Sequence, residues 1–255
     1  MILTVHITNA KVEICCVKDG KRLHCFSLTS YEQRTADEYF IIMQLLFSQA
    51  GIDPKQALGA IVASVVPTLT RPISAATEMC TGKQPMILGP GVKTGLSIRI
   101  DDPVSLGAEL AAASVAAIAK YSAPCIIIQM QTAIVFSVID GGGHYIGGSI
   151  SPGITMGQAG LEKGAAKLTS IDVNAPKNVI GKNTADCMQS GIIFGSAALI
   201  DGMLERTLKE LGGNASIVAT GDWANTIVPH CLRQDIIIDS ELVMHGLSLI
   251  WKKNQ

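Results

Sequence analysis

The stretch CIIIQMQTAIVFSVIDGGGHYIGGSI, residues 125–150, decides how the rest of the chain is read. Cys125–Met130 is an apolar run of strand character. Ala133–Ile139 and His144–Ile150 follow it and flank Asp140-Gly141-Gly142-Gly143, a hairpin signal. The chain begins in the same way. Ile2–Thr8, Val12–Val17 and Arg22–Leu28 read as three strands, the last two joined at Asp19-Gly20. After the first trio, a helix is expected from Thr35 to Ala50, because Tyr39, Ile42, Met43 and Leu46 recur at i, i+3, i+4, i+7 and Gly51 closes it. A buried strand at Ala57–Val65, a helix at Thr68–Cys80, a short strand at Met86–Leu88 and an Ala-rich helix at Ser105–Lys120 complete this half. After the second trio come a helix from Ile154 to Glu162 and a long one over Thr184–Leu211, whose weak points are Gly191 or Gly195. A strand at Ser216–Thr220, a helix, a strand at Ile236–Ile238 and a last helix at Ser240–Lys252 finish the chain.

The order β-β-β-α-β-α thus occurs at 2–80 and again at 125–228. An internal duplication is the economical account, and alternating elements imply an α/β architecture. The expected division is 1–118 and 119–255. A doubled unit of this kind normally forms a cleft, so the turns at 8–11 and 131–133 are where a ligand is expected.

Composition narrows the function classes. Lys+Arg number 20 and Asp+Glu 21, a net charge of −1, so no bulk electrostatic drive toward nucleic acid or an acidic membrane exists. Charged residues are 16% and hydrophobic ones 48%, which excludes disorder as the main state. No apolar run reads as a membrane span, and the opening MILTVHIT lacks a basic leader region, so a cytoplasmic protein is expected. Seven cysteines include no CxxC pair and read as buried free thiols. The five histidines show no metal-ligand spacing. Lys93 reads as a loop lysine, Gly147, Gly148 and Gly153 as turn and packing glycines, Met130 and Met188 as core fillers, and Trp223 and Trp251 as packing residues.

RTADEY (34–39), SVVPTLT (64–70), GPGVKTGL (89–96), GGSISPGI (147–154), GAAKL (164–168) and GKNTADCMQSG (181–191) occur in this order along nearly the whole chain. Together they resemble the type III pantothenate kinases. The resemblance implies the sugar kinase/actin/Hsp70-like, ribonuclease H-like superfold, in agreement with the duplicated α/β pattern. It implies ATP-dependent phosphorylation of pantothenate, the first step of coenzyme A synthesis, with magnesium and potassium as cofactors. It also implies a homodimer whose dimerisation helices lie in the second half and whose pantothenate pocket lies near the subunit interface.

The positions that would carry this chemistry depart from the family's pattern. The first phosphate loop, D-x-G-N-T in the family, is His6-Ile7-Thr8-Asn9-Ala10. His6, Thr8, Asn9 and Ala10 are the candidate nucleotide-binding positions, joined by Thr132. Magnesium favours hard oxygen ligands, so a histidine cannot replace the acid. Thr8 adds a Cβ where backbone must approach phosphate, and Ala10 removes a hydroxyl. G-A-D-R is Gly107-Ala108-Glu109-Leu110. Glu109 is the candidate general base, one methylene longer than its counterpart, and Leu110 cannot make the hydrogen bonds of an arginine. R-Y-D-N-P is Arg99-Ile100-Asp101-Asp102-Pro103, which puts Ile100 at an aromatic pocket position. Ile100, Gly107, Ala108, Leu110 and Thr184 are the candidate substrate-binding residues. D-F-G-T-A-T-T is Gln129-Met130-Gln131-Thr132-Ala133-Ile134-Val135, which makes Gln129 the candidate ligand of the monovalent cation. T-G-G is Thr220-Gly221-Asp222, with an acid where the nucleotide is expected.

Three functions compete. The first is a pantothenate kinase-like pseudoenzyme with lost or weak catalysis, working as a homodimer or as partner of a competent paralogue. The second is a competent kinase with shifted site residues. The third is a regulatory module that binds neither ligand. Nucleic acid and membrane are not expected partners.

Overall fold

The computed structural model describes residues 1–18 and 20–255. The chain divides into two units. The first takes 1–96, 101–119 and 241–255, and the second takes 97–100 and 120–240. The last helix therefore falls in the first unit, whereas the division at 118/119 had assigned it to the second half.

The first unit is built on a five-stranded sheet of order β3-β2-β1-β4-β5, from β1 (Ile2–Ile7), β2 (Lys11–Lys18), β3 (Lys21–Thr29), β4 (Ala60–Ser64) and β5 (Met86–Ile87). β1 is buried along its whole length, pairs antiparallel with β2 and parallel with β4, and is the strand around which the unit is organised. Asp19 of the expected Asp19-Gly20 turn lies outside the described residues. α1 (Ala36–Gln49) starts at a capping box: Thr35 Oγ accepts from Glu38 N–H, and Glu38 accepts from Thr35 N–H at 2.7 Å. Tyr39, Met43 and Phe47 form its buried face. Burying such side chains is worth about 1.5–3 kcal/mol each, far more than the cap contributes. α2 (Pro67–Thr81) places Pro67 in its first turn and ends at Gly82 in the left-handed region. α3 (Ala108–Lys120) begins later than Ser105 because Pro103–Ser105 forms a 3-10 turn, with the Asp102 side chain accepting from Val104 N–H. α7 (Leu242–Lys253) packs against β1 and β4. At Gly246 a Cβ would sit 1.8 Å from Ala112 O, so α7 lies backbone-close on α3.

The second unit repeats the plan. β7 (Cys125–Met130), β8 (Ala133–Ile139), β9 (His144–Pro152), β10 (Ser216–Thr220) and β11 (Ile236–Ile238), with the two-residue β6 (Ser97–Ile98), form a six-stranded sheet of order β11-β10-β7-β8-β9-β6. Read from β9, the first five strands have the order of the first unit, with the same antiparallel and parallel pairings around the central strand. The duplicated α/β fold expected from the sequence is therefore present. β6, parallel to the edge of β9, was too short to leave a pattern. The turn at 140–143 closes because the Asp140 carboxylate accepts from Gly142 and His144 N–H, and Gly143 adopts a φ of +76°. α4 (Ile154–Gly164), α5 (Thr184–Leu211) and the single turn α6 (Ala224–Ile227) cover the sheet.

α5 runs unbroken through Gly191 and Gly195 over the expected span. Ile193, Ala197, Ile200 and Leu204 bury against the core of the unit, and that packing outweighs the glycine penalty of about 1 kcal/mol each. α5 is also long and apolar enough to cross a membrane by length and composition alone, a candidate span the sequence reading did not give, and 39% of that stretch is buried within the unit. The cysteine reading also needs correction. Cys15 and Cys25 lie opposite one another across β2 and β3 and are disulfide-bonded, whereas Cys16, Cys80, Cys125, Cys187 and Cys231 are free.

Candidate active site

In the first unit the fold joins residues far apart in sequence. His6 is the next-to-last residue of β1 and is 2% exposed. Its Nε2 lies 2.9 Å from Glu109 Oε2 in the first turn of α3. Its Nδ1 lies 3.8 Å from Glu13 Oε2, on the residue directly across from it on β2. Glu13 in turn accepts from Lys11 Nζ at 2.8 Å. Burial alone pushes the His6 pKa down, but the Glu109 hydrogen bond and the neighbouring Glu13 carboxylate outweigh it and raise the value to about 9. Burial pushes Glu13 up, and His6 and Lys11 outweigh it and hold the carboxyl at about 2. His6 is thus held protonated at neutral pH between the Glu13 and Glu109 side chains, with Lys11 on the far side of Glu13.

The adjacent turn is equally self-contained. Thr8 N–H donates to Lys11 O at 2.8 Å. Thr8 Oγ accepts from Ala10 N–H at 3.3 Å and Lys11 N–H at 3.1 Å and donates to Lys11 O. A glycine here would leave those two amides for a phosphate, whereas the threonine takes them itself. Asn9 is exposed and Ala10 half-buried at the tip. Gly107, Ala108 and Leu110 flank Glu109, half-buried around the start of α3.

The second unit presents the remaining candidates. Gln129, near the end of β7, is 2% exposed, and among the described residues neither its Oε1 nor its Nε2 has a hydrogen-bond partner. Gln131 and Thr132 form the β7–β8 turn. Thr132 O accepts from Gly153 N–H at 3.1 Å, and a Cβ on Gly153 would lie 2.4 Å from that oxygen, so the turn rests on the start of α4. On the strand beside Gln129, Thr220 is buried, and Gly221 has a φ of +99°. Ile100 lies half-buried near Gly147, and Thr184 is exposed in the first turn of α5. A cavity of this unit, about 480 Å³ between β8–β9 and the C-terminal half of α5, is lined among others by Phe136, Ser149, Met203 and Arg206 and by none of the candidate nucleotide- or substrate-binding residues.

The donor chemistry can be tested against the ions that the resemblance implies. A protonated imidazole has no lone pair to offer, and here both ring nitrogens face carboxylates, so the residues at position 6 do not fit magnesium. Gln129 fits a monovalent cation only in part. Its neutral Oε1 can coordinate, but the buried amide N–H₂ would stay unsatisfied. A ligand that both donates and accepts suits this side chain better.

Glu13 was not among the candidates from the sequence. A lone acid in an apolar strand reads as a solvated residue. The usable signal was the short turn at 8–10, which places position 13 opposite position 6.

Comparison with known proteins agrees with this frame. A family model described as type III pantothenate kinase matches residues 2–206. Proteins named type III pantothenate kinase from Moorella thermoacetica and from an Exiguobacterium species are each 37% identical, over 257 and 255 residues, with full coverage of both chains. Among solved structures, component A of the (R)-2-hydroxyglutaryl-CoA dehydratase of Acidaminococcus fermentans matches with a TM-score of 0.57 at 12% identity. A Thermus thermophilus ROK hexokinase matches with a TM-score of 0.53 at 12% identity. Each match covers 100% of this chain and 99% of the other. These distant likenesses speak for the actin-like sugar kinase fold alone.

Proposed function

Because the chain belongs to the type III pantothenate kinase family, we propose that it keeps the family's framework while having lost, or nearly lost, ATP-dependent phosphorylation of pantothenate. It then serves as a subunit in a cytoplasmic homodimer, or in a heterodimer with a competent paralogue. The observation that carries this reading is the 2.9 Å bond between His6 and Glu109. The residue at the metal-anchoring position and the candidate base hold each other. A carboxylate oxygen committed to a buried imidazolium is a poor acceptor for a substrate hydroxyl proton. Thr8, which takes the amides of its own turn, and the uncharged Gln129 point the same way. Phosphoryl transfer depends on positioning and on charge stabilisation, and these changes weaken both.

One competing reading draws on the same bond. His6 holds Glu109 in place, and the chain is a slow but competent kinase with Glu109 as its base, Thr132 at phosphate and Thr184 at pantothenate. A turnover assay with ATP, magnesium, potassium and pantothenate separates the two. No turnover above background supports the first reading. Turnover that Glu109→Ala abolishes supports the second. Co-expression with a competent paralogue, followed by co-purification, tests the partner role. A strict homodimer without effect on the paralogue's rate speaks against it.

A further inference from the structure

His6, Glu13 and Glu109 come from three elements, β1, β2 and α3, and meet within 4 Å in a largely buried place. Two carboxylates facing one buried position repel each other and resist ionisation unless a positive charge lies between them. Proteins commonly supply that charge with a bound divalent ion held by carboxylate oxygens. Here it is a side chain. Lys11 reaches Glu13, and His6 reaches both acids, so basic side chains rather than an ion face the two acids.

The length of Glu109 matches this role. An aspartate at 109 would be shorter by one C–C bond, about 1.5 Å. The 2.9 Å contact would then open beyond hydrogen-bonding range. The histidine at 6 and the longer acid at 109 thus read as one matched pair rather than two separate departures from the family's pattern.

We propose that His6 is a built-in cation, seated between Glu13 and Glu109, that does for this carboxylate cluster what a bound divalent ion does elsewhere and makes the first unit independent of such ions. The inference rests on the reading that position 6 is the family's metal-anchoring position. It is tested by melting rather than by turnover, so its failure can be told apart from the failure of that reading.

The test is thermal unfolding of the full chain in magnesium chloride, in manganese chloride and in EDTA. The unchanged protein should unfold at one midpoint in all three. His6→Asp leaves three carboxylates facing one another. Its midpoint in EDTA should fall by about 10 °C, and either divalent ion should restore most of the loss. A second set covers the case in which that variant does not fold: His6→Asn, Glu109→Gln and the two combined, all in EDTA. The double variant should lose less than the sum of the single losses, because removing one charge strands the other. A saturable rise of the unchanged protein's midpoint with magnesium overturns the proposal. So does a His6→Asp protein as stable in EDTA as the parent, or strictly additive single losses in the second set.

Discussion

The β1–β2 turn of the first unit and the β7–β8 turn of the second occupy equivalent places in a repeated fold, and each stands where the family's pattern has an acid. They departed from that pattern in opposite ways. At His6 the new side chain is fully partnered by Glu109 and Glu13, and the neighbouring Thr8 satisfies its own turn. At Gln129 the new side chain is equally buried and has no partner at either polar atom. The first turn is closed by its own chemistry, and the second still has hydrogen bonds to offer. The two turns therefore replace the acid of the family's pattern differently, one with a partnered cation and the other with a neutral amide, and the proposed loss of phosphoryl transfer gives them different stability signatures.

The largest effect should come from undoing both at once. His6→Asp, Thr8→Gly, Glu109→Asp, Leu110→Arg, Gln129→Asp and Gln131→Gly together should raise pantothenate turnover by about a hundredfold or more over the parent, the scale on which a misplacement of about 1 Å acts. The check is an initial-rate assay with ATP, magnesium and potassium. No gain would mean that the difference between the two turns is not what limits the chemistry.

The closed turn should also be the more fragile of the two. Glu109→Ala removes one partner of a buried pair and should cost about 3 kcal/mol by denaturant titration. Alkaline pH should act on the same place. The His6 pKa is raised to about 9, so its contribution is complete below about 6.5, the value in an unfolded chain. It is lost as pH rises from there through 9, by on the order of 3 kcal/mol. Glu13, held at about 2, contributes fully above about 4.5 and is lost as pH falls below that. Denaturant titrations between pH 5 and 10, with His6→Asn as control, would show the alkaline loss in the parent and a flatter profile in the variant. The open turn should respond least. Gln129→Leu replaces an unpartnered buried amide with an apolar group of similar size and should change stability by about 1 kcal/mol or less, on the favourable side. A loss comparable to that of Glu109→Ala would show that the amide is satisfied after all and would erase the contrast.

Much of this fold was legible because strand character and duplication are local signals. β7, β8, β10 and β11 fall where the apolar runs placed them, and α5 has both expected ends. The misses have physical causes. β6 has two residues and exists only through its pairing with β9. The Cys15–Cys25 bond follows from the register between β2 and β3, which spacing alone does not give. At the site, His6 and Glu109 each stood out as a departure from a pattern. Their contact joins residues 103 positions apart, a separation that no local pattern bridges. Glu13 stayed hidden because its meaning lies in what faces it across the sheet.

The most direct measurement is a calorimetric titration of the purified chain with magnesium ATP, run with and without pantothenate. No saturable heat is expected in either case, since the turn amides are taken by Thr8 and position 6, where the family's pattern has an acid, holds a histidine partnered by Glu109 and Glu13. Saturable, magnesium-dependent binding that His6→Asn leaves unchanged would contradict the idea that a framework built to grip nucleotide has been closed from within.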